Sequence, residues 1–207
     1  KRRHQQQFER AVLAHTQGRI GAAVAGYRRL LAARPRDHEV CHQLGLALWQ
    51  QDNLAEALPL LEAAVRGAPA EGRYWSNLGN ARQSAGRIDS AIAAYESAIE
   101  RDPSRQSAWS GLGVALRIQG RLPQAIAALQ QAIALPGAGA AIWQNLGSTL
   151  AQDAQHHGAV DALSRAIGLQ PDDAQTHNAL GNPLLALGER ASAEAADRPA
   201  HEPGTLS

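Results

Sequence analysis

Histidine is the residue type in this sequence most suited to metal chemistry, and two pairs stand close together. His38 and His42 are four residues apart, a spacing that places two imidazoles on one face of a helix. No third ligand follows in the matching register, and Glu39 falls on a different helix face. His156 and His157 are adjacent on a predicted turn, so they cannot converge on one ion. We therefore expect no metal site.

The single cysteine, Cys41, limits redox and nucleophilic chemistry. One cysteine forms no intramolecular disulfide and no thiolate metal cluster, a composition that fits a reducing compartment. Cys41 has no electropositive neighbourhood and stands where tryptophan recurs later in the chain, so we predict a buried structural thiol. No Gly-rich phosphate loop follows a strand pattern. With no catalytic set, the sequence predicts a protein that is not an enzyme and needs no cofactor.

The spacing of tryptophan reveals an internal repeat. Trp75, Trp109 and Trp143 are 34 residues apart, and each is followed three residues later by Leu and then by Gly. The same frame places Cys41 in an earlier unit and His177 in a later one. Alanine recurs in phase, at Ala23, Ala57, Ala91, Ala125, Ala159 and Ala193. A period of this length is typical of proteins built by stacking small helical units.

The repeat also predicts how each unit folds. Apolar residues at spacings of three and four form two amphipathic helices in each unit. Glycine favours the left-handed turn between them, at Gly18, Gly86, Gly120 and Gly188. Proline ends the second helix because it lacks an amide donor, at Pro35, Pro69, Pro103, Pro136 and Pro171. These signals predict an all-helical chain.

Small and large residues alternate where the two helices of a unit should meet. Glycine allows close approach, so we expect the small alanine of the second helix to face Gly45, Gly79, Gly113 and Gly147. Trp75, Trp109 and Trp143 are expected to fill the remaining core. Trp49 lies later on its helix, where either the core or a ligand-binding groove is its predicted place.

These in-phase positions resemble the tetratricopeptide repeat. The resemblance implies an all-α fold, a right-handed superhelical solenoid of antiparallel helix pairs. The predicted units are residues 4–37, 38–71, 72–105, 106–139 and 140–173, with a partial unit at 174–190. A basic tail at residues 1–3 precedes them. Pro183 falls inside a predicted helix and further prolines follow it, so residues 191–207 are expected to be irregular.

The resemblance also implies a concave face lined by the first helix of each unit, which is the usual binding surface of such arrays. By the family's register, this groove should be lined by His42, Gln43, Trp49, Arg73, Ser76, Asn77, Asn80, Gln83, Ser110, Arg117, Gln144, Asn145, Ser148 and Gln152. Amides and hydroxyls dominate this set. Such side chains donate to and accept from a peptide backbone, so a protein or peptide ligand is expected.

Two equivalent asparagines suggest a more particular likeness. Asn77 and Asn145 resemble the asparagine ladder in the repeat region of O-linked N-acetylglucosamine transferases, although Gln43 and Gly111 replace asparagine in other units. The carboxylate clamp of chaperone co-factors is not matched. The main hypothesis is a non-catalytic scaffold that binds an extended partner segment. The alternative is the substrate-recruiting region of a larger bacterial enzyme, such as an O-GlcNAc transferase-like glycosyltransferase, whose catalytic domain is absent from this chain.

Composition narrows the choice of partners and location. Twenty Lys and Arg against nineteen Asp and Glu give a formal charge of +1, which disfavours nucleic acid. No stretch reaches transmembrane length, so we expect no membrane insertion. These features predict a cytoplasmic location, and the resemblance to tetratricopeptide repeats is greatest for bacterial proteins. Apolar surface on the last units leaves self-association through the end repeats as a third hypothesis.

Overall fold

The computed structural model describes the backbone of residues 2–196 and the side chains as far as residue 188. Within those residues the chain forms eleven α-helices and no β-strand, as the repeat predicts. The helices are α1 (Arg2–Thr16), α2 (Ile20–Ala33), α3 (His38–Gln50), α4 (Leu54–Gly67), α5 (Gly72–Ser84), α6 (Ile88–Arg101), α7 (Gln106–Ile118), α8 (Leu122–Ala134), α9 (Ala140–Gln152), α10 (His156–Leu169) and α11 (Ala174–Ala196). Odd-numbered helices are the first helices of the repeats.

The turns inside the repeats share one backbone conformation. Gly18, Gly86 and Gly120 have φ angles of 73°, 72° and 74°, which confirms the predicted left-handed turn. Asp52 and Ala154 stand at the equivalent position of two other repeats and adopt φ angles of 60° and 58°. The stacking of the helices therefore imposes this turn even where a side chain makes it costly.

The chain divides into two compact units, Lys1–Arg121 and Leu122–Ser207. In the first unit, α1, α3 and α5 each pack against the second helix of the same repeat, and that second helix packs against the next first helix. The core there is built from fully buried alanines beside larger residues such as Tyr27, Leu61 and Tyr95. In the second unit, α9 and α10 form the closest pair, with Leu129, Leu146 and Leu163 in the core.

The repeat glycines approach a different partner from the expected one. A Cβ atom added at Gly79 would lie 2.6 Å from Cε1 of Tyr95, and one at Gly147 would lie 2.5 Å from Cγ of Leu163. For Gly79 and Gly147 the prediction that the glycine faces the small alanine is therefore wrong, whereas Gly45 lies against both Leu61 and the backbone carbonyl of Ala57. They make room for the large residue one helical turn after that alanine, which the absence of a Cβ allows.

The last helix departs from the predicted sixth repeat. α11 runs without a turn through Pro183 and Gly188 to Ala196, so a turn at Gly188 and an irregular segment beginning at residue 191 are both wrong. Pro183 is fully buried, and burial of its ring offsets part of the cost of the missing amide hydrogen bond. Residues 197–207 of the expected irregular tail lie outside the described residues. Arg2 and Arg3 already belong to α1 rather than to a separate tail.

Candidate binding surface

A cluster of polar side chains joins the first helices of repeats two and three. The Glu39 carboxylate on α3 accepts hydrogen bonds from Arg73 Nη2 at 2.5 Å, the Tyr74 hydroxyl at 2.6 Å and Gln43 Nε2 at 3.1 Å. Burial raises the pKa of Glu39, but the hydrogen bonds from Tyr74, Gln43 and Arg73 outweigh it and hold the pKa below its usual value. Glu39 is therefore a fixed negative charge at the centre of the cluster.

Arg73 and Tyr74 extend this cluster across the surface of α5. The Arg73 guanidinium carbon lies 4.8 Å above the centre of the Tyr74 ring, and Arg73 Nε also donates to Glu71 at 3.3 Å. His38 Nδ1 lies 3.3 Å from the Tyr74 hydroxyl. Arg73 thus already has two carboxylate partners, which reduces its capacity to bind a further anion.

His42 lies beneath the cluster. Its side chain is only 3% exposed, its ring centre is 4.3 Å from that of Tyr74, and Nε2 is 2.9 Å from Nδ2 of Asn77. Burial lowers the pKa of His42 to about 4, so the ring is neutral near pH 7. Because Asn77 donates to Nε2, the ring proton belongs on Nδ1, a buried atom with no hydrogen-bond partner among the described residues. The Asn77 carbonyl oxygen remains as an acceptor.

Two more amides on α5 are positioned by Tyr95 from α6. The Tyr95 hydroxyl lies 2.8 Å from Oδ1 of Asn80 and 3.1 Å from Oε1 of Gln83. Both amides are half-buried, and sharing this donor turns their NH₂ groups away from Tyr95. Burial raises the pKa of Tyr95, so it stays a neutral donor. The α5 surface therefore presents amides that are held in place by hydrogen bonds.

The predicted groove residues include two arginines, and Arg117 on α7 is the one without a carboxylate partner among the described residues. It is half-buried, its Nε is buried without an acceptor, and it forms no ion pair with any residue that the structure describes. Ser110 on the same helix is also half-buried. Arg117 is consequently the predicted groove residue best suited to a carboxylate supplied from outside.

The predicted residues of the second unit form a sparser surface on α9. Gln144 donates to Asp173 at 3.1 Å, while Asn145 and Ser148 are half-buried and Gln152 is exposed. Within residues 2–188, the Asn145 and Ser148 side chains form no hydrogen bond with another side chain. These groups are available for a ligand but are not held in place.

Three of the predicted groove residues need correction. His42 and Ser76 are 3% and 1% exposed, so they support the surface from below rather than contact a ligand. Ser76 instead lies with its Oγ 3.2 Å from Oγ of Ser107. Trp49 is half-buried and packs against the core residues of repeats one to three, which decides between its two predicted places in favour of packing.

Glu39 and Tyr74 were missed by the groove prediction. Glu39 and Arg73 occupy the same position of successive repeats, 34 residues apart. Their opposite charges in the sequence could have predicted the ion pair that they form. Tyr74 precedes the tryptophan position, and its orientation depends on packing that the sequence pattern does not show.

The tryptophans are half-buried rather than fully buried, and Trp75 and Trp143 pack against the core, so their predicted core position is correct only in part. Trp75 and Trp109 are half-buried, and each Nε1 donates at 2.9 Å to the carbonyl of the proline that ends the preceding repeat, Pro69 or Pro103. His177 contacts the carbonyl of Pro171 at 2.8 Å in the same way. The indole N–H needs a partner, and this hydrogen bond places Nε1 at the boundary between repeats.

Cys41, His156 and His157 were considered in the sequence for thiol and metal chemistry, and the structure shows where each of them lies. Cys41 is buried as predicted, and burial raises the pKa of its thiol. His156 and His157 lie in the first turn of α10 rather than on a turn. Among the described residues, no group of three or more His, Cys, Asp or Glu side chains could hold a metal ion.

Family models now identify the class of protein. Two tetratricopeptide-repeat models match the chain, one at residues 42–82 and 76–140 and the other at residues 140–173. The matches extend over well more than half of the sequence. The chain belongs to the tetratricopeptide-repeat family. No curated protein sequence matches it.

Solved structures of repeat proteins share the fold. The crystal structure of MamA matches with a TM-score of 0.70 and 21% identity over 80% of this chain and 96% of that one. YrrB, a TPR protein with an unusual peptide-binding site, matches with a TM-score of 0.69 and 21% identity over 84% and 89%. A TPR protein from Thermus thermophilus matches with a TM-score of 0.68 and 20% identity over 88% and 99%. Within residues 2–196, no helix is both long enough and apolar enough to span a membrane.

Proposed function

We propose that this protein is a non-catalytic interaction scaffold that binds an extended segment of a partner protein on the first-helix surface of its first unit. The observation that carries the proposal is the row of half-buried, hydrogen-bonded polar side chains on α3 and α5, which Arg117 on α7 continues. Hydrogen bonds to Tyr95 and His42 hold the amides of Asn77, Asn80 and Gln83 in fixed orientations. Binding then costs less side-chain entropy than it would on a mobile surface.

The chemistry of this row fits a peptide backbone and one acidic group. The Asn77 carbonyl can accept from a backbone N–H, and the NH₂ groups of Asn80 and Gln83 can donate to backbone carbonyls. Arg117 offers a guanidinium with no counterion among the described residues. The match of the fold to YrrB, a TPR protein with a peptide-binding site, supports the same reading. We expect selected ligands to be extended and to carry an Asp, Glu or terminal carboxylate near Arg117.

A peptide-display selection tests the proposal. Peptides selected on the wild-type chain are measured against a variant carrying Asn80→Ala and Arg117→Ala, with folding checked by circular dichroism. The matched control carries Gln131→Ala and Asp161→Ala, two exposed positions on the second helices α8 and α10. We expect at least about a tenfold loss of affinity in the first variant, or about 1.4 kcal/mol, and no change in the control. Equal binding to both variants contradicts the proposal.

A further inference from the structure

The α1–α2 surface differs in charge from the rest of the molecule. Residues 1–37 contain nine Lys or Arg and two Asp or Glu, which gives a formal charge of +7. The whole chain carries +1, so residues 38–207 carry −6. The near-neutral total therefore conceals a strongly basic first repeat, and such an asymmetry marks a surface for an acidic partner.

A groove on this surface has basic sides and apolar residues between them. It has a volume of about 520 Å³ and is lined by α1 and α2, with Ala11, Ala14 and Leu30 among its apolar residues. Arg10, Arg19 and Arg29 line it, and no Asp or Glu does. Within the part of the chain that the structure describes, Arg10 and Arg29 form no ion pair. The groove thus presents three cations without internal counterions.

Later repeats show what covers the equivalent surface. α4 packs on α5 through Leu58, Leu61 and Val65, which cluster with Tyr74 and Leu78. Beside this apolar contact, Glu62 of α4 accepts a hydrogen bond from Arg82 of α5 at 3.1 Å. At this junction the occupant of the surface is therefore a second helix that carries an acidic residue.

Two residues of α1 differ from the equivalent residues of later repeats, and these differences indicate which kind of helix can bind here. Leu13 is 53% exposed, whereas the equivalent residues Ala47, Ala81, Ala115 and Thr149 are all 0% exposed. Arg10 stands where the other repeats have the buried leucines Leu44, Leu78, Leu112 and Leu146. A helix that covered Leu13 would bury Arg10 as well, and a buried guanidinium requires a carboxylate partner.

We propose that the α1–α2 groove binds an acidic amphipathic helix of a partner protein. The apolar face of that helix covers Leu13, and its flanking Glu or Asp side chains pair with Arg10 and Arg29. The site is separate from the first-helix surface proposed above. An apolar helix without acidic residues does not fit, because it would leave Arg10 buried and unpaired.

The probe for this site is a synthetic helix of about 20 residues with a Leu and Ala face flanked by Glu, a length at which helix formation in water is feasible. Its matched control carries Lys in place of every Glu. Binding to the wild-type chain is measured by fluorescence anisotropy. We expect the Glu helix to bind and the Lys helix not to bind.

Charge reversal of the groove sharpens the test. We expect Arg10→Glu with Arg29→Glu to weaken the Glu helix at least about tenfold and to gain binding of the Lys helix. Arg66→Glu with Arg87→Glu makes the same charge change on two exposed arginines elsewhere and should leave binding unchanged. Asn80→Ala with Arg117→Ala should also leave it unchanged, which separates this site from the proposed peptide surface.

Several results would overturn the proposal. One is equal binding of the Glu and Lys helices, and another is equal loss of affinity in the Arg66 and Arg87 variant. A third is Arg10-dependent binding of phosphatidylserine vesicles or single-stranded DNA without binding of the Glu helix, which would assign the basic surface to a membrane or nucleic acid. A fourth is Arg10-dependent self-association in sedimentation without binding of the Glu helix, which would assign it to a second copy.

Discussion

Asn77 and Asn145 occupy the same position of the repeat, yet their surroundings differ. Asn77 donates to a buried histidine, while the Asn145 side chain has no side-chain partner among the described residues. Asn77 is held because His42 of the preceding repeat lies 2.9 Å from its amide nitrogen. The repeat period places each asparagine at the same position of its helix. Whether its side chain forms a hydrogen bond depends on the residues that surround it.

The same contrast applies to the helix packing of repeats three and five. Gly79 faces Tyr95, whose hydroxyl is held by Asn80 and Gln83, and Gly147 faces the aliphatic side chain of Leu163. A hydrogen-bonded ring resists displacement more than a leucine, which has other rotamers. Repeat three is therefore expected to tolerate overpacking less than repeat five.

The largest expected effect tests this difference. Gly79→Val should lower the free energy of unfolding by about 3 kcal/mol, and Gly147→Val by about 2 kcal/mol, because both create overlaps in a packed core. Urea denaturation followed by circular dichroism measures both. The control is Gly168→Val, where an added Cβ meets nothing within 4 Å and a change below about 0.5 kcal/mol is expected. Equal losses at Gly79 and Gly168 would show that Tyr95 moves freely.

The second prediction concerns pH and the buried histidine of repeat two. The pKa of His42 is depressed from its ordinary 6.5 to about 4 in the folded protein, so the unfolded chain binds a proton that the folded one does not. Folding stability should fall as pH falls through this window, by about 2 kcal/mol between about pH 7 and pH 5. The lowered pKa of Glu39 acts in the same direction at lower pH.

A variant isolates the contribution of His42. His42→Gln keeps a polar side chain at this position but does not titrate, so its stability should depend less on pH by about 2 kcal/mol over the same range. The measurement is urea denaturation of both proteins at each pH. An identical pH dependence in the two proteins would falsify the assignment of a neutral, buried His42.

The smallest expected effect compares the two asparagines directly. Asn77→Ala leaves Nε2 of His42 buried without a donor and should cost about 1 kcal/mol of stability. Asn145→Ala removes no side-chain hydrogen bond to a described residue and should change stability by less than about 0.5 kcal/mol. Parallel denaturation curves give the comparison, and a larger loss for Asn145→Ala would reverse our ranking.

The repeat period predicted the helices well because it reports on backbone geometry. Gly18, Gly86 and Gly120 mark turns that require positive φ, and the Leu and Ala spacing marks the buried faces. The period did not show that Asp52 and Ala154 adopt the same turn, because stacking there overrides residue preference. It also failed at Gly188, where no turn interrupts α11.

The site was harder to predict because it depends on side chains from successive repeats. Register placed Asn77, Asn80 and Gln83 correctly on α5 but could not show which atoms Tyr95 and His42 occupy. The size of the tryptophans predicted their packing against the core but not the hydrogen bonds that keep Nε1 of Trp75 and Trp109 at the edge of the repeat. The total charge of +1 also conceals an uneven distribution, because it sums +7 over residues 1–37 and −6 over residues 38–207.

The hydrogen bonds from Trp75 and Trp109 to the preceding prolines have a spectroscopic consequence. Each indole donates a hydrogen bond to the segment that ends the preceding repeat. Its fluorescence should therefore change when that hydrogen bond breaks and the two repeats separate. Trp75 also lies beneath the Arg101 guanidinium at 4.8 Å, and Trp143 beneath Arg165 at 5.1 Å. The chain thus carries an intrinsic optical reporter at several repeats, with which the opening of one repeat can be followed without an added label.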